Sequence, residues 1–273
     1  MDLLSLVLTL RPATTAALSP RLGRAAHAIL LARLARLDPT LADAIHNMDG
    51  PKPLTCSDVL GAREAVQVLP EQAYTLRYTA LTAEVAAALA KAFAVGDTLT
   101  FEGTDFTVEA LDDGQGDESS PWAGSDTYQA LAGRYLIPGS PAARNAWGLL
   151  FAAPTAFKVQ GKTLPLPLPG LVFGSLVTRW NAFAPVALPA EGVRQYAEEM
   201  VVISRFALRS APGWDRGQGD ERGLRIGAIG KVTYRAQNHD RYWCAALSLL
   251  AEFARYAGVG IVTTMGMGQA RAL

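Results

Sequence analysis

Cysteine and histidine are scarce in this 273-residue chain, which has two of the first and three of the second. Cys56 and Cys244 stand far apart, without the close spacing that metal ligands show. We therefore expect no metal site and no cofactor, and a reducing, cytoplasmic setting is the default expectation. Because imidazoles are so few, each histidine has to be weighed as a candidate for acid-base chemistry near neutral pH.

The sequence also lacks an apolar run long enough to cross a bilayer. The longest such stretch, residues 83–95, is interrupted by Glu84 and Lys91 and falls short of the roughly 20 residues that a spanning helix needs. The N-terminus places Asp2 before an apolar run and has no basic leader, so we do not expect a signal peptide. No membrane partner is predicted.

Net charge is likewise absent, since 25 basic residues balance 25 acidic ones. The balance is uneven along the chain: residues 84–126 hold ten acids and one base, whereas residues 205–241 hold eight bases and four acids. The second region predicts a basic surface suited to phosphate groups. Arginine outnumbers lysine about four to one, which suits bidentate phosphate contacts, although a GC-rich genome would produce the same bias.

Half of the residues are apolar, which is enough for a sizeable core, and their spacing predicts two similar halves. Residues 3–10 predict a strand, and residues 21–46 predict a helix that kinks or restarts at Asp38-Pro39. Further segments of the first half follow in the order strand, strand, helix, strand. They span residues 52–59, 74–81, 83–93 and 98–111.

The acidic, Gly- and Pro-containing stretch 112–126 predicts a linker or exposed loop. After it the same order recurs, with segments at residues 147–159, 171–183, 199–208, 224–235, 242–256 and 260–270. Two successive βαββαβ patterns predict an α+β protein with two tandem ferredoxin-like, RRM-like domains. We place them at residues 1–118 and 119–273.

A glycine-rich segment, GVGIVTTMGMG at residues 258–268, follows the last predicted helix. Its glycines allow positive φ, so that successive N–H groups, aided by Thr263 and Thr264, could hold an anion. The alternative is a helix C-cap followed by a glycine bulge in a tight strand. A dinucleotide fingerprint is not indicated, because the glycines follow a helix and have the wrong spacing.

Several motifs together resemble the CRISPR-associated endoribonucleases of the RAMP superfamily that cut CRISPR repeat RNA. The glycine-rich ending resembles their signature, and other segments agree in the same order along the chain. These are His27 within the first helix, LADAIH at 41–46, KPLTCS at 52–57, FAAPTAFK at 151–158, PLP at 165–167 and RWN at 179–181.

The resemblance implies an enzyme that cleaves the precursor transcript without a metal, using the RNA's own 2′-hydroxyl and leaving a 2′,3′-cyclic phosphate and a 5′-hydroxyl. On this basis we expect His46 to be the general base or acid and Lys52 to stabilise the phosphorane. From the residues alone, His46 also suits a solvated helix end, where the helix dipole favours its charge. His27 is the second candidate, although its apolar neighbours also suit a structural histidine. No tyrosine precedes Tyr74, which leaves a third role unassigned, with Arg21 or Arg24 as substitutes.

The expected RNA-binding residues belong to two groups, each with a structural alternative. The first comprises Gly258, Gly260, Thr263, Thr264, Gly266 and Gly268, and we expect bulky residues at Gly260 or Gly266 to weaken RNA affinity with modest loss of folding. The second is a basic hairpin with Arg222, Arg225, Lys231 and Arg235. His239 is expected in the loop before a helix, and aromatic residues such as Trp147 and Trp180 are expected to pack in the core.

Three functions therefore stay open at this point. The first is the repeat-cleaving endoribonuclease, with CRISPR repeat RNA as its partner. The second is a non-catalytic RNA-binding subunit of the same superfamily within a CRISPR effector complex. The third is an unrelated ferredoxin-like enzyme that uses the glycine segment for a nucleotide cofactor. Other effector subunits and a homodimer also stay open as partners.

Overall fold

The protein is described from a computed structural model, which covers residues 1–19, 21–59, 66–137, 140, 143–213 and 225–273. The chain divides into two compact units. The first comprises residues 1–125 together with 264–266, and the second comprises residues 126–263 together with 267–273. Short glycine-rich stretches near the C-terminus thus contribute to both units.

The first unit is built on an antiparallel sheet around one long central strand. Its strands are β1 (Leu3–Pro12), β2 (Ala16–Leu18), β3 (Leu54–Cys56), β4 (Val66–Val68), β5 (Tyr74–Ala80), β6 (Thr98–Phe101), β7 (Thr104–Asp112) and β8 (Gly124–Asp126). Its helices are α1 (Gly23–Leu37), α2 (Pro39–Asn47) and α3 (Ala83–Ala92). The strand order in the sheet is β3-β5-β1-β7-β6, and β8 also pairs with β1.

The break between α1 and α2 lies where the Asp38-Pro39 step predicts it. Pro39 cannot donate the N–H that would continue α1, and it is well tolerated as the first residue of a new helix. Asp38 has extended backbone angles, and its side chain accepts the N–H of Leu41 at 3.0 Å. This cap restarts the helix in a new direction and brings His46 to its last turn.

The second unit has a similar arrangement, with one long edge strand at residues 201–212. Its elements are α4 (Tyr128–Leu136), β9 (Ala146–Thr155), β10 (Phe157–Val159), β11 (Lys162–Leu164), α5 (Pro169–Phe183), α6 (Ala190–Met200), β12 (Val201–Pro212), β13 (Ile226–Ala236), α7 (Arg241–Ala257) and β14 (Ala270–Ala272). The sheet is antiparallel with the order β12-β13-β9-β14. Trp147, Phe173 and Trp180 are buried in its core, as expected.

Both sheets share one core arrangement: β1 lies between β5 and β7 in the first, and β9 lies between β13 and β14 in the second. Next to β5 and β13 lie the edge strands β3 and β12. With the crossing helices this is the βαββαβ arrangement, so the α+β class and the tandem ferredoxin-like fold are confirmed. No helix in the described part of the chain is both long and apolar enough to cross a membrane.

The prediction of a last strand over residues 260–270 was wrong. Only Ala270–Ala272 forms a strand, and a short 3₁₀ turn, Thr263–Met265, precedes it. Gly258, Gly260, Gly266 and Gly268 all have positive φ, which a continuous strand does not accommodate. Helices α4 and α6 were not predicted.

Candidate functional site

The three candidate catalytic residues belong to the first unit and lie near one another. His46 is exposed in the last turn of α2. His27 is half-buried in α1, with Nδ1 4.0 Å from Sγ of Cys56. Burial lowers the pKa of His27, and the positive charges of His46 and Lys52 lower it further. The structure thus brings His27, His46 and Lys52 into one electrostatically coupled group.

Lys52 contacts the end of α2. Its ammonium group donates to the backbone oxygens of Ile45 at 2.8 Å and His46 at 3.0 Å, and also to that of Met48. Three acceptors use all three donors of an ammonium group. The contacts satisfy carbonyls that a helix end otherwise leaves unpaired, and they place the cation beside the backbone of His46. To donate to a phosphate oxygen, the ammonium group of Lys52 must break at least one of these three hydrogen bonds.

The N-terminus of α1 is capped by a carboxylate from a distant segment. Asp58 accepts the N–H of Gly23 at 2.5 Å, a residue 35 positions earlier. Burial raises the pKa of Asp58 to about 6, while the amides of Gly23 and Leu22 and the charge of Arg21 act in the opposite direction. The sequence motifs did not indicate Asp58 as part of this region, although it lies directly after the KPLTCS segment.

We expect Asp58→Asn to change how stability depends on pH. The folded protein holds the Asp58 proton up to about pH 6, against an ordinary pKa of 3.8, so stability falls as pH rises through that window. Asparagine still accepts the Gly23 N–H but never becomes charged. Near pH 7.5 the variant should be more stable by on the order of 1–3 kcal/mol, and near pH 4 the two proteins should be equal.

Urea unfolding at several pH values measures this difference. Asp43→Asn, at an exposed position of α2, controls for the loss of one negative charge. A constant difference between Asp58→Asn and the parent protein from pH 4 to pH 7.5 would contradict a raised pKa at Asp58.

The glycine-rich segment does not offer its glycine amides to a ligand. Gly258 donates to the oxygen of Ala254 at 3.0 Å and is the C-cap of α7, which confirms the structural alternative for that residue. Gly260 donates to Oγ of Ser175 at 2.9 Å, Gly266 to the oxygen of Cys56 at 3.2 Å and Gly268 to the oxygen of Pro154 at 3.0 Å. These four N–H groups hold the segment in place and cannot also cradle a phosphate.

Arg179 and Ser175 of α5 hold the turn at Gly260. The guanidinium of Arg179 donates to Oγ of Ser175 at 2.6 Å and to the oxygen of Gly260 at 2.6 Å, and it reaches Oγ1 of Thr263 at 3.2 Å. Burial lowers the pKa of Arg179 to about 10. No acidic side chain in the described ranges pairs with it. The RWN motif therefore has a structural role here that its sequence did not reveal.

One face of the second sheet is basic. Lys231 of β13 pairs with Ala207 of β12 and with Leu150 of β9, and Leu150 pairs in turn with Arg271 of β14. Since side chains alternate along a strand, the same face carries further bases. The five basic residues of these strands are Arg205, Arg209, Lys231, Arg235 and Arg271, and none of the strand residues, all within the described ranges, is acidic.

Lys231 and Arg235 are exposed, whereas their neighbours Val232 and Tyr234 point into the core. Arg225 lies just before β13, and its carbonyl oxygen accepts the N–H of Gly213 at 2.6 Å. Arg222 falls outside the described residues. Thr263 is buried and Thr264 is half-buried. Lys231 and Arg235 are thus the predicted RNA contacts that the structure places on an accessible surface.

No set of three His, Cys, Asp or Glu side chains that could hold a metal ion occurs among the residues that the structure describes.

Sequence comparison finds similarity to one family. The family model of the CRISPR-associated endoribonuclease Cas6 matches residues 149–270. A Cas6 endoribonuclease of Mycobacterium tuberculosis is 31% identical over 127 residues, which are 44% of this chain and 37% of that protein. A Cas6 endoribonuclease of Streptococcus thermophilus is 28% identical over 124 residues, covering 45% of this chain and 48% of that protein. The matches thus span less than half the length of these curated relatives.

Structural similarity extends over the whole chain. A Thermus thermophilus Cas6, solved as a product complex, has a TM-score of 0.80 and 26% identity, and the match covers 100% of this chain and 99% of that one. A second Cas6 product complex has a TM-score of 0.77 and 29% identity, with 100% of both chains covered. The family model, the curated relatives and the solved structures thus all show similarity to the Cas6 family.

Proposed function

We propose that this protein is an endoribonuclease that binds CRISPR repeat RNA and cleaves it within the precursor transcript. In this reaction the 2′-oxygen of the RNA attacks the adjacent phosphorus and the bond from phosphorus to the 5′-oxygen breaks. The products are a 2′,3′-cyclic phosphate and a 5′-hydroxyl. Because the nucleophile belongs to the RNA, the protein has to move two protons and stabilise the charge on the phosphorane.

The coupled group of His27, His46 and Lys52 is the observation that carries this proposal. His46 is the exposed one of the two imidazoles in this group, so it can reach a nucleotide and act as general base or acid. Lys52 supplies positive charge beside it. His27 is half-buried, and its lowered pKa favours the neutral form, which fits a positioning role or the second proton transfer. The relatives named as CRISPR-associated endoribonucleases and the Cas6 product complexes among similar structures support an RNA-cleaving function.

A cleavage assay on the host's own repeat RNA tests the proposal. We expect 5′-labelled repeat RNA to be cut at one position in the presence of EDTA, leaving a cyclic-phosphate end. Matched RNA with a 2′-deoxy sugar at the cut position should be bound but not cut, because it lacks the nucleophile. Cutting of the deoxy substrate would contradict the proposed mechanism.

One observation favours a second candidate function, a non-catalytic RNA-binding subunit of a CRISPR effector complex. The ammonium of Lys52 already donates to three backbone carbonyls, so the cluster would need to rearrange before Lys52 could stabilise a phosphorane. The same assay separates the two functions. Tight binding of the repeat without any cut would support the subunit, whereas specific cleavage supports the enzyme.

The basic face of the second sheet is the proposed surface for the RNA backbone. We expect the double variant Lys231→Gln/Arg235→Gln to weaken RNA binding at every salt concentration. It should also reduce the slope of log affinity against log salt by about 1.4 to 1.8, which corresponds to two lost phosphate contacts. Fluorescence anisotropy from 50 to 300 mM salt measures both quantities.

Glu198→Gln/Glu199→Gln on α6 serves as a control that also changes two charged residues to glutamine. An unchanged slope in the Lys231→Gln/Arg235→Gln variant would remove these residues from the RNA contact.

A further inference from the structure

The second unit contains an open cleft of about 1170 Å³ that the proposed function does not use. It lies between the end of α4, the residues before β9, the turn at Val186–Leu188 and the start of α7. The volume is slightly above the roughly 300–1,000 Å³ typical of ligand pockets. The cleft therefore has room for more than one nucleotide.

The side chains around the cleft are basic. Arg144, Arg241 and His239 are exposed on its lining, which contains no aspartate or glutamate among the described residues. Neither arginine forms an ion pair within the part of the chain that the structure describes. The nearest acid in sequence, Asp240, accepts the N–H groups of Tyr242 and Trp243 as the cap of α7. The basic lining favours an anionic occupant.

Aromatic and apolar surface lies beside these cations. Tyr242 is 50% exposed, and its ring and that of Trp243 form a T-shaped pair at a centroid distance of 4.9 Å. Tyr135 also lines the cleft. Ile137 and Val186, at 61% and 60% exposure, are among the most exposed large apolar residues of the described chain. This combination of planar rings and apolar side chains suits a base, which stacks on such surfaces.

Hydrogen bonds hold both walls of the cleft in place. On one side Trp180 donates through Nε1 to the oxygen of Val186 at 2.8 Å, and Asn181 donates to the oxygen of Leu188 at 2.7 Å and accepts its N–H at 2.8 Å. On the other side the N–H of Arg144 donates to Oγ of Ser248 at 2.9 Å. The backbones that carry these lining residues are thus ordered before any ligand arrives.

We propose that this cleft binds nucleotide units of single-stranded RNA, with the phosphates on Arg144 and Arg241 and a base stacked on Tyr242. Arginine matches phosphate oxygens bidentately, and a tyrosine ring accepts any base. The inference rests on the proposed function only in taking RNA as the source of the nucleotides. None of the lining residues belongs to the His27, His46 and Lys52 group.

Binding of a labelled hexauridylate, measured by anisotropy over a range of salt concentrations, tests this site. We expect Arg144→Gln/Arg241→Gln to weaken binding at least tenfold and to reduce the salt slope by about 1.4, two phosphate contacts on a single strand. Tyr242→Ala should weaken binding roughly tenfold, and Tyr242→Phe should keep it. Arg36→Gln, an exposed arginine of α1, should change nothing.

Crosslinking locates the bound oligonucleotide. A hexamer containing 4-thiouridine should form crosslinks to peptides that include Tyr135 or Tyr242, and these should disappear in Arg144→Gln/Arg241→Gln. The proposal requires both the affinity loss and the crosslinks, and failure of either overturns it. Binding of a glutamate-rich peptide in the cleft, with no oligonucleotide bound there, would also overturn it.

Two further measurements on variants separate this site from the proposed active site. His46→Ala should bind the hexamer as the parent does, and Arg144→Gln/Arg241→Gln should keep the cleavage rate constant at saturating repeat RNA. If the parent protein cuts no RNA yet crosslinks at the cleft, the proposed function fails and the cleft remains. Competition by free uridine monophosphate at millimolar concentration would identify a mononucleotide as a sufficient ligand, whereas competition by oligonucleotides alone would identify the RNA chain.

Discussion

His46→Ala is expected to lower the rate constant of RNA cleavage by about 100- to 10,000-fold, the contribution typical of a general acid or base. Affinity for the repeat RNA should change by no more than a few-fold, because phosphate contacts elsewhere carry most of the binding. His46 is exposed, and no hydrogen bond of its ring occurs among the described residues, so the substitution should leave the core intact. Single-turnover cleavage at saturating protein measures the rate constant directly.

The control variants have to separate chemistry from helix stability. Asn47→Ala removes the neighbouring exposed side chain at the end of α2 and should cleave normally. His46→Gln keeps a polar side chain at the same place and should be as inactive as alanine, since an amide does not transfer protons near neutral pH. The melting temperatures of His46→Ala, His46→Gln and Asn47→Ala should lie close to that of the parent protein. Parent-like rates from His46→Ala would remove this residue from the reaction.

His27→Ala distinguishes two roles for the second imidazole. If His27 transfers a proton, its loss should lower the rate constant about as much as the loss of His46 does. If His27 only positions His46, the loss should be smaller and the pH profile of the rate should shift, because the charges of the two imidazoles are coupled. A melting curve is needed beside the rates, since His27 is half-buried next to Cys56.

The sequence predicted the fold well where a local period decides the structure. The alternating residues 98–111 predicted one strand, which the structure divides into β6 and β7 by a turn at residues 102–103. The three- and four-residue spacing within α5 and α7 identified these helices, because such spacing places apolar residues on one helix face. Helix α6 was missed although Val193, Tyr196 and Ala197 have the spacing of a buried helical face. Its many polar residues and the preceding prolines disguised that signal.

The glycine-rich ending shows the opposite case, in which local pattern misleads. We predicted a strand over residues 260–270, yet four glycines and Val262 have positive φ values between residues 258 and 268. The contacts that decide this shape come from residues far away in the sequence: Gly260 donates to Ser175, 85 positions away, and Gly266 donates to Cys56. Such long-range hydrogen bonds cannot be read from spacing. For the same reason the sequence suggested a phosphate cradle where the amides are already used.

His46 and Lys52, by contrast, could be selected from the sequence, because a histidine at a helix end followed six residues later by a lysine in a loop places both near one point. Their closeness follows from the chain itself, as the contact of Lys52 with the carbonyl of His46 shows. The role of that contact could not be predicted, because the carbonyl oxygens at a helix end and the oxygens of a phosphate both accept hydrogen bonds from an ammonium group.

Gly260→Ala is expected to be among the most destabilising single substitutions in the second unit, with a loss of roughly 3–5 kcal/mol in unfolding free energy. Gly260 has φ +82°, and a Cβ atom there would lie 2.3 Å from the backbone oxygen of Ala156. That oxygen accepts the N–H of Ile261 and cannot simply move away. This result would correct our expectation that replacing Gly260 affects RNA affinity with only modest loss of folding.

Gly161→Ala is the matched control for this effect. Gly161 has φ +79° in the same unit, but no heavy atom lies within 4 Å of a Cβ built there. Its loss should therefore be about 1–2 kcal/mol, the cost of a left-handed backbone alone. Urea unfolding of both variants isolates the steric part as the difference between them. Equal losses of unfolding free energy would mean that the turn at Gly260 can relax. The hydrogen bonds from Ser175 and Arg179 would then not fix the glycine-rich segment.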